Sequence, residues 1–216
     1  MKTYNTKQTI IKVTEMLERK ERFAFVTYTR SSFFSVFNDI KGEKKPPKNF
    51  VQSMLNSLSI ESDKYLSATQ LEFVDSHRSK LNKAGLSKKT FYDSSFLENF
   101  IYENKEIFKI FMNYYLKNTD VLVISFQHKS NISKFFSKNS SYISVPYNDF
   151  YDKIDSVMAQ ISEFSNAYDL VVLDCPMFGS AIASKIWEQT NMSILDMGKT
   201  LTVARSSEKN DKNRSS

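Results

Sequence analysis

The chain has 216 residues, of which 41% are hydrophobic and 14% aromatic, so it can bury one sizeable core and has the length of a single domain. Its 30 basic and 24 acidic residues give a formal charge of +6, but the basic residues are scattered and much of the excess lies in 41–48 and at the end of the chain. This distribution argues against a nucleic-acid-binding surface, because no basic stripe emerges.

The single cysteine, Cys175, excludes an intramolecular disulfide. The start of the chain, MKTYNTKQTIIK, lacks the apolar core of a signal peptide, and no apolar run approaches the length that spans a bilayer. We therefore expect no transmembrane segment and a cytoplasmic protein, in the host cytoplasm if the protein is viral.

The first half of the chain predicts helices around a buried strand. Apolar residues at helical spacing predict helices over 5–20, 33–40 and 50–58, and the apolar, β-favouring run 23–28 predicts a central strand. Pro46 and Pro47 stop regular structure between two of these helices. Residues 64–68 fit a strand, whereas the pattern over 70–84 is mixed and stays unassigned. The aromatic stripe over 94–116, with a break near Asn104, is typical of helices packed on a core.

The last third alternates strands and helices. The predicted strands are 121–125, 142–145, 170–174 and 192–195, and the predicted helices are 132–136, 150–164 and 180–188. This alternation predicts an α/β protein with a Rossmann-like, mostly parallel sheet and helices on both faces. We expect a single domain over residues 1–205. The polar stretch 206–216 has nothing to bury and is predicted to be a disordered tail.

Ligands of such sheets bind outside the carboxyl ends of the strands, and polar residues follow several predicted strands here. The clearest case is FAFVTYTRSSFF, residues 23–34, which turns polar at Thr29-Arg30-Ser31-Ser32 where a strand ends and a helix begins. This stretch is either a ligand-binding junction or an ordinary helix start capped by Ser31 or Ser32.

A second junction of this kind is DCPMFGS, residues 174–180. Gly179 permits close backbone approach, and Ser180 can cap the helix or meet a phosphate oxygen. No Gly-Lys-Ser/Thr follows, so this is not a Walker P-loop. The chain also lacks Cys-x-x-Cys, a His pair at metal spacing and a Gly-x-Ser-x-Gly elbow, so the pattern gives no metal ligands.

The segments SYISVPYNDFYDKIDSVMAQISEF and YDLVVLDCPMFGSAIASKIWEQTNMSILDMGKTL resemble the closing region of the GT-D type glycosyltransferases, a group formerly described as a domain of unknown function in sugar-transfer clusters. The shared order is Pro146 and Asn148 after a strand, an apolar strand over 170–174, a small-residue helix entry, and a last strand followed by Asp196 and Gly198. The resemblance implies a protein that binds a nucleotide-diphosphate sugar as donor and transfers the sugar to a glycan or other acceptor.

In that family an Arg-x-Gly-Asp-Gly-Glu-like motif follows the first strand, and its carboxylates meet a divalent metal, Mn²⁺ or Mg²⁺, and the diphosphate. Here Arg30 stands at the position of the Asp and Ser32 at that of the Glu, so the cofactor's ligands are absent. Two interpretations follow. Arg30 and the serine hydroxyls neutralise the diphosphate directly and catalysis is metal-independent, or the chain is a catalytically inactive binding or structural module, for instance viral or associated with surface polysaccharide.

The strand ends and the resemblance together give the candidate site. The candidate catalytic residues are Asp174 and Asp196, either of which would act as general base towards the acceptor hydroxyl. The alternative for Asp196 is that it caps the turn at Gly198. The candidate substrate-binding residues are Thr29, Arg30, Ser31, Ser32, Asn148, Gly179, Ser180, Gly198 and Lys199.

Overall fold

Eight parallel strands form one sheet in the structure, a computed structural model that describes residues 1–37, 45–103 and 105–206. The strands are β1 (Lys2–Tyr4), β2 (Ala24–Thr27), β3 (Tyr65–Thr69), β4 (Thr90–Asp93), β5 (Leu122–Ser125), β6 (Ser141–Ser144), β7 (Leu170–Asp174) and β8 (Ser193–Asp196). Their order across the sheet is β1-β4-β3-β2-β8-β7-β5-β6, and each pairing between neighbours is parallel. The predicted parallel sheet is confirmed.

Helices cover both faces of this sheet, as predicted. They are α1 (Thr6–Arg19), α2 (Arg30–Val36), α3 (Lys48–Ser59), α4 (Leu71–Ser76), α5 (Arg78–Lys83), α6 (Phe96–Glu103), α7 (Lys105–Phe111), α8 (Lys129–Ile132), α9 (Ile154–Phe164), α10 (Phe178–Gln189) and α11 (200–206), with a π-helical turn at Met112–Leu116 and 3₁₀ turns at Ser133–Phe135 and Phe150–Asp152. One buried cluster holds side chains of α2 to α5, α9 and α10, and a second holds those of α1, α6 to α8 and α11. The central strands are wholly buried because both faces are covered.

Several elements differ from the predictions. Helix α2 begins at Arg30, three residues earlier than expected, and the end of the predicted helix 33–40 lies outside the described residues, as does the break at Asn104. The unassigned stretch 70–84 forms α4 and α5. The edge strand β1 and its neighbour β4 were not predicted. Each is very short and is defined by pairing with a partner distant in sequence, which leaves little local pattern.

The end of the chain holds one more helix that the sequence did not indicate. Residues 200–206 form α11, whose Leu201 and Ala204 are buried against the sheet. Residue 206, the first residue of the predicted tail, belongs to this helix, and the rest of the predicted tail, residues 207–216, lies outside the described part of the chain. Within the described ranges, the structure contains no helix with the length and apolar character needed to cross a membrane.

The chain leaves β2 and β8 in opposite directions. The two strands are neighbours, with Phe25 opposite Leu195. Helix α2, which follows β2, packs on one face through Phe33, whereas α11, which follows β8, packs on the other through Leu201. Because the chain turns to opposite faces of the sheet after these two adjacent strands, a crevice opens at their carboxyl ends. Ligands of open α/β sheets bind in such a crevice.

Candidate functional site

A cleft of about 410 Å³ lies at this crevice. Its lining brings together five of the predicted binding residues, namely Thr29, Arg30, Ser31, Gly198 and Lys199. They come from two segments, one after β2 and one after β8, that are far apart in the sequence. The topology of the sheet therefore assembles into one surface the two junctions that the sequence marked as polar.

Thr29 caps helix α2. Its hydroxyl oxygen accepts from the backbone N–H of Ser32 at 3.3 Å and lies 3.0 Å from the Ser32 hydroxyl. Ser32 is fully buried, whereas Arg30 and Ser31 are exposed and line the cleft. The capping residue is therefore Thr29, whereas the capping interpretation expected Ser31 or Ser32. Because Thr29 takes this role, Arg30 and Ser31 stay available to a ligand while Ser32 turns into the protein.

Replacing Thr29 with alanine is expected to lower the free energy of unfolding by about 1 kcal/mol, because the first turn of α2 loses its side-chain acceptor. Ser31→Ala removes a neighbouring hydroxyl of the same exposed turn and should change stability by less than about 0.5 kcal/mol. Urea denaturation of the two variants checks this. Equal losses in both would contradict the assignment of Thr29 as the cap.

Asp196 lies beneath the cleft and ties β2 to the turn after β8. Its Oδ2 accepts from the backbone N–H of Thr27 at 3.0 Å, and its Oδ1 accepts from that of Gly198 at 2.9 Å. Gly198 has a φ of +56°, a left-handed conformation that glycine adopts without strain. Burial raises the pKa of Asp196 to about 7, although the two N–H donors oppose this rise. Asp196 therefore caps the turn at Gly198, the role that the sequence analysis gave as the alternative to a catalytic one.

Asp174 is the second buried carboxyl group at this edge of the sheet. Its Oδ2 accepts from the Ser125 hydroxyl at 2.7 Å and from Gln127 Nε2 at 3.1 Å, whereas its Oδ1 has no hydrogen-bond partner among the described residues. Burial raises the pKa of Asp174 to about 7, the hydrogen bonds from Ser125 and Gln127 oppose the rise, and the charge of Asp196 adds to it. One oxygen of Asp174 is thus left for a further proton or donor.

Gln127 connects Asp174 to the C-terminal helix. Its Nε2 donates both to Asp174 Oδ2 and, at 2.9 Å, to the hydroxyl of Thr202 on α11. Gln127 lies in the polar stretch 125–128 at the end of the predicted strand 121–125, but its role could not be predicted because it depends on α11. This contact holds the helix that follows β8 beside the buried carboxyl group.

A tight turn at Met177 places α10 against Asp196. Met177 has φ 64° and ψ −48°, and Phe178 N–H donates to the carbonyl of Pro176 at 2.8 Å, which defines a strained γ-turn. The turn brings Gly179 so close to Asp196 that an added Cβ would lie 3.2 Å from Oδ2. Gly179 therefore permits close approach, as predicted for a glycine at this junction, but the group that approaches it is a side chain of the protein.

Besides the two buried carboxyl groups, four of the predicted binding residues lie away from the cleft surface. Ser32 and Gly179 are buried, and Ser180 is buried with its hydroxyl donating to the carbonyl of Met177 at 2.9 Å. Asn148 is exposed after β6, the edge strand that is separated from β8 by β5 and β7. Of these four residues, the first three shape the floor of the site and Asn148 lies on a distant part of the same edge.

The cleft also contains residues that the sequence analysis missed. Gln70 and Ser94 line it and follow β3 and β4 respectively, and Pro176 lines it from the turn before α10. The strand-end rule applies to Gln70 and Ser94 as well. It would have selected Ser94 if β4 had been predicted. It would have selected Gln70 if the predicted strand 64–68 had ended at residue 69, where β3 ends.

The cleft does not fit the divalent metal that the resemblance implies. Arg30 and Lys199 are among its lining residues, and none of the described lining residues is a carboxylate. Across the described ranges there is no group of three or more His, Cys, Asp or Glu residues placed to hold a metal ion. Magnesium and similar hard cations need carboxylate or carbonyl oxygens, and a neighbouring guanidinium repels them.

The fold is that of solved glycosyltransferase structures. A glycosyltransferase (DUF1792) from Streptococcus sanguinis is 10% identical and covers 97% of this chain and 85% of its own, with a TM-score of 0.76. A structure of domain of unknown function 1792 is 9% identical, with a TM-score of 0.73, and covers 97% of this chain and 82% of its own. Another, described as having a distinct glycosyltransferase fold, is 10% identical with a TM-score of 0.69 and covers the same shares.

At these identities the likeness concerns the fold, and the resemblance to the GT-D type structures is confirmed at that level. No protein-family model matches the sequence, and no curated protein is significantly similar to it. The fold and the cleft together define the class as α/β proteins with a GT-D type glycosyltransferase fold. The activity has to be argued from the residues of the site, because one fold hosts many functions.

Proposed function

We propose that this protein binds a nucleoside-diphosphate sugar in the cleft between β2 and β8 and transfers the sugar to a glycan or other acceptor without a metal. The observation that carries the proposal is the placement of Arg30 and Lys199 on one cleft surface that has no carboxylate among its described lining residues. A diphosphate carries the complementary charge. One of the solved structures that share the fold is described as a glycosyltransferase and another as having a glycosyltransferase fold, which agrees with the proposed activity.

The two cations would act on the leaving group. Arginine forms paired hydrogen bonds to phosphate oxygens, and lysine supplies a point charge. Negative charge grows on the nucleoside diphosphate as its bond to the sugar breaks, so fixed positive groups stabilise the transition state more than the ground state. In this proposal Arg30 does the work that a metal held by carboxylates would do. The hydroxyl of Ser31, beside it on the cleft surface, is a further donor.

The acceptor hydroxyl needs a base. Both Asp174 and Asp196 have a pKa raised to about 7 by burial, and a base of that pKa is effective near neutral pH. Both oxygens of Asp196 accept backbone N–H groups, whereas Asp174 Oδ1 has no partner. We therefore propose Asp174 as the base, acting through a water molecule because its carboxyl group is buried and does not line the cleft, with Asp196 positioning the two strands that form the cleft.

Calorimetric titration with UDP, GDP, TDP and CDP, and then with their sugars, tests the proposal. With EDTA present, one nucleotide should bind, and its affinity should fall steeply as the salt concentration rises, because exposed charges are screened. Failure of all four nucleotides to bind would overturn the proposal. Binding that depends on added Mn²⁺ would keep a nucleotide site and overturn its metal independence.

The second candidate function is a catalytically inactive binding module with the same fold. The observation that favours it is the replacement of the expected carboxylates by Arg30 and by the buried Ser32. The two functions differ in turnover. A bound nucleotide sugar that releases neither sugar nor nucleoside diphosphate over long incubation, with a range of glycan acceptors, would support the inactive module.

A further inference from the structure

A second cavity, of about 400 Å³, lies at the opposite edge of the sheet, where β1, β3 and β4 begin. Its lining includes four lysines, namely Lys2, Lys12, Lys88 and Lys89. Two carboxylates, Glu61 and Asp63, also line it. Cations therefore outnumber anions around a space that is nearly as large as the cleft and separate from it.

Lys89 is the buried member of this group. Lys89 is only 7% exposed, and its ammonium group donates to the carbonyl of Ile60. It also lies 5.7 Å from the centre of the Tyr65 ring. Burial lowers the pKa of Lys89 to about 8, and the charge of Glu61 acts in the opposite direction. A buried ammonium group is unfavourable unless a negative group compensates it.

The protein supplies that compensation only in part, through the charge of Glu61, which does not contact Lys89 directly. Within the described ranges, none of the four lysines has a carboxylate oxygen within 4.0 Å. Lys2 instead donates to the Tyr4 hydroxyl at 2.7 Å and lies 4.6 Å from the centre of that ring. The ammonium groups of Lys2 and Lys89 are thus held by tyrosine rings, a tyrosine hydroxyl and a backbone carbonyl, without a carboxylate in direct contact, so their charge is open to an external anion.

The wall of the cavity is also fixed in shape. The rings of Tyr4 and Tyr92, on the paired strands β1 and β4, stack with their centres 4.8 Å apart and an angle of 12° between their planes. Tyr65 is buried with its hydroxyl bonded to Ser57. A preformed wall lowers the entropic cost of binding, since little has to be ordered when a ligand enters.

We propose that this cavity is a second binding site that takes a small soluble ligand bearing phosphate groups. Lysine binds phosphate as a point charge, and four ammonium groups less the two carboxylates leave a lining charge of about +2, which matches one phosphate group. The site does not depend on the proposed glycosyltransferase activity, because it lies at the amino-terminal edge of the strands and shares no lining residue with the cleft.

Titration of inorganic pyrophosphate into Arg30→Ala protein tests this site, because that background weakens anion binding in the cleft. Lys89→Met and Lys12→Gln are each expected to raise the dissociation constant about tenfold, the change that follows loss of one charged hydrogen bond. Lys7→Gln is the matched control, since Lys7 is exposed on the same helix as Lys12 and does not line the cavity. Lys12→Gln also serves if Lys89→Met fails to fold.

A proton measurement adds a readout that general surface charge would not give. An anion bound beside Lys89 raises the pKa of its ammonium group, so at pH 8.5 binding should take up more protons, measured from the dependence of the enthalpy on the buffer, in Arg30→Ala than in Arg30→Ala with Lys89→Met. Unchanged affinity in both cavity variants would overturn the proposal. So would an equal loss in Lys7→Gln, which would indicate adsorption to surface charge.

Discussion

Replacement of Arg30 by alanine is expected to weaken nucleotide binding by about 1.5 to 3 kcal/mol, the scale of a hydrogen bond to a charged group. Arg30 is exposed, lines the cleft and stands where the resemblance places a metal-binding carboxylate. If its guanidinium replaces the metal, binding by the unmodified protein should persist in EDTA and most of it should disappear in the variant. Calorimetry at low salt measures both effects.

Arg19→Ala is the control for this experiment. Arg19 is an exposed arginine at the end of α1, forms a long ion pair of 3.9 Å with Glu21 and does not line the cleft. The Arg19→Ala substitution removes the same charge as Arg30→Ala, so it measures how much the net charge alone affects nucleotide binding. Full affinity in Arg30→Ala, or equal losses in the two variants, would reject metal replacement. The candidates for metal-binding carboxylates would then be Asp174, Asp39 and Glu43. Of these, Asp39 and Glu43 lie outside the described residues.

The protein is expected to be more stable at pH 5 than at pH 8. Asp174 and Asp196 both have a pKa of about 7 in the folded protein, well above the ordinary value of 3.8. Between these two values the folded state holds protons that the unfolded state has released, so the free energy of unfolding falls as the pH rises. Each group contributes up to about 1.4 kcal/mol per pH unit, and the two together should remove about 3 to 5 kcal/mol.

Urea denaturation at pH 5, 6, 7 and 8 measures this dependence. In Asp174→Asn the amide oxygen can still accept from Ser125 and Gln127, so this variant should fold and should lose about half of the pH dependence. Asp152→Asn is the matched control, because it removes an exposed surface carboxylate that lies 3.3 Å from Lys153. Stability that stays constant or rises between pH 5 and 8 would mean that both buried carboxyl groups are ionised in the folded protein.

The central part of the fold could be predicted from the sequence because its signals are local. The strands β2, β5 and β7 are short apolar runs, and a strand covered on both faces needs no other pattern. The strands β1 and β4 gave no such signal, because their stability comes from pairing across more than eighty residues of chain, as in the pair Lys2 and Thr90. Helix α11 was missed because only two of its apolar side chains, Leu201 and Ala204, are deeply buried.

The candidate site was predictable in its residues and less so in their roles. The strand-end rule selected Arg30, Gly198 and Lys199, and the structure places all three on the cleft. It could not distinguish a side chain that faces the cleft from one that supports it, because that depends on a few degrees of backbone rotation. Ser180, for example, turns inward to the carbonyl of Met177, since the turn before α10 is strained. The metal replacement itself stays a prediction.

The position of β8 has a consequence for synthesis of the chain. Strands β1 to β4 form one side of the sheet and β5 to β7 the other, and β8, made last, is the strand that lies between them. A ribosome-bound chain that has not yet released residue 196 therefore has two partial sheets with open inner edges and lacks the Asp196 clamp on Thr27. The cleft thus forms only after β8 has joined the sheet, and a nascent chain is expected to acquire affinity for the proposed ligand only after residues 196–199 have left the ribosome.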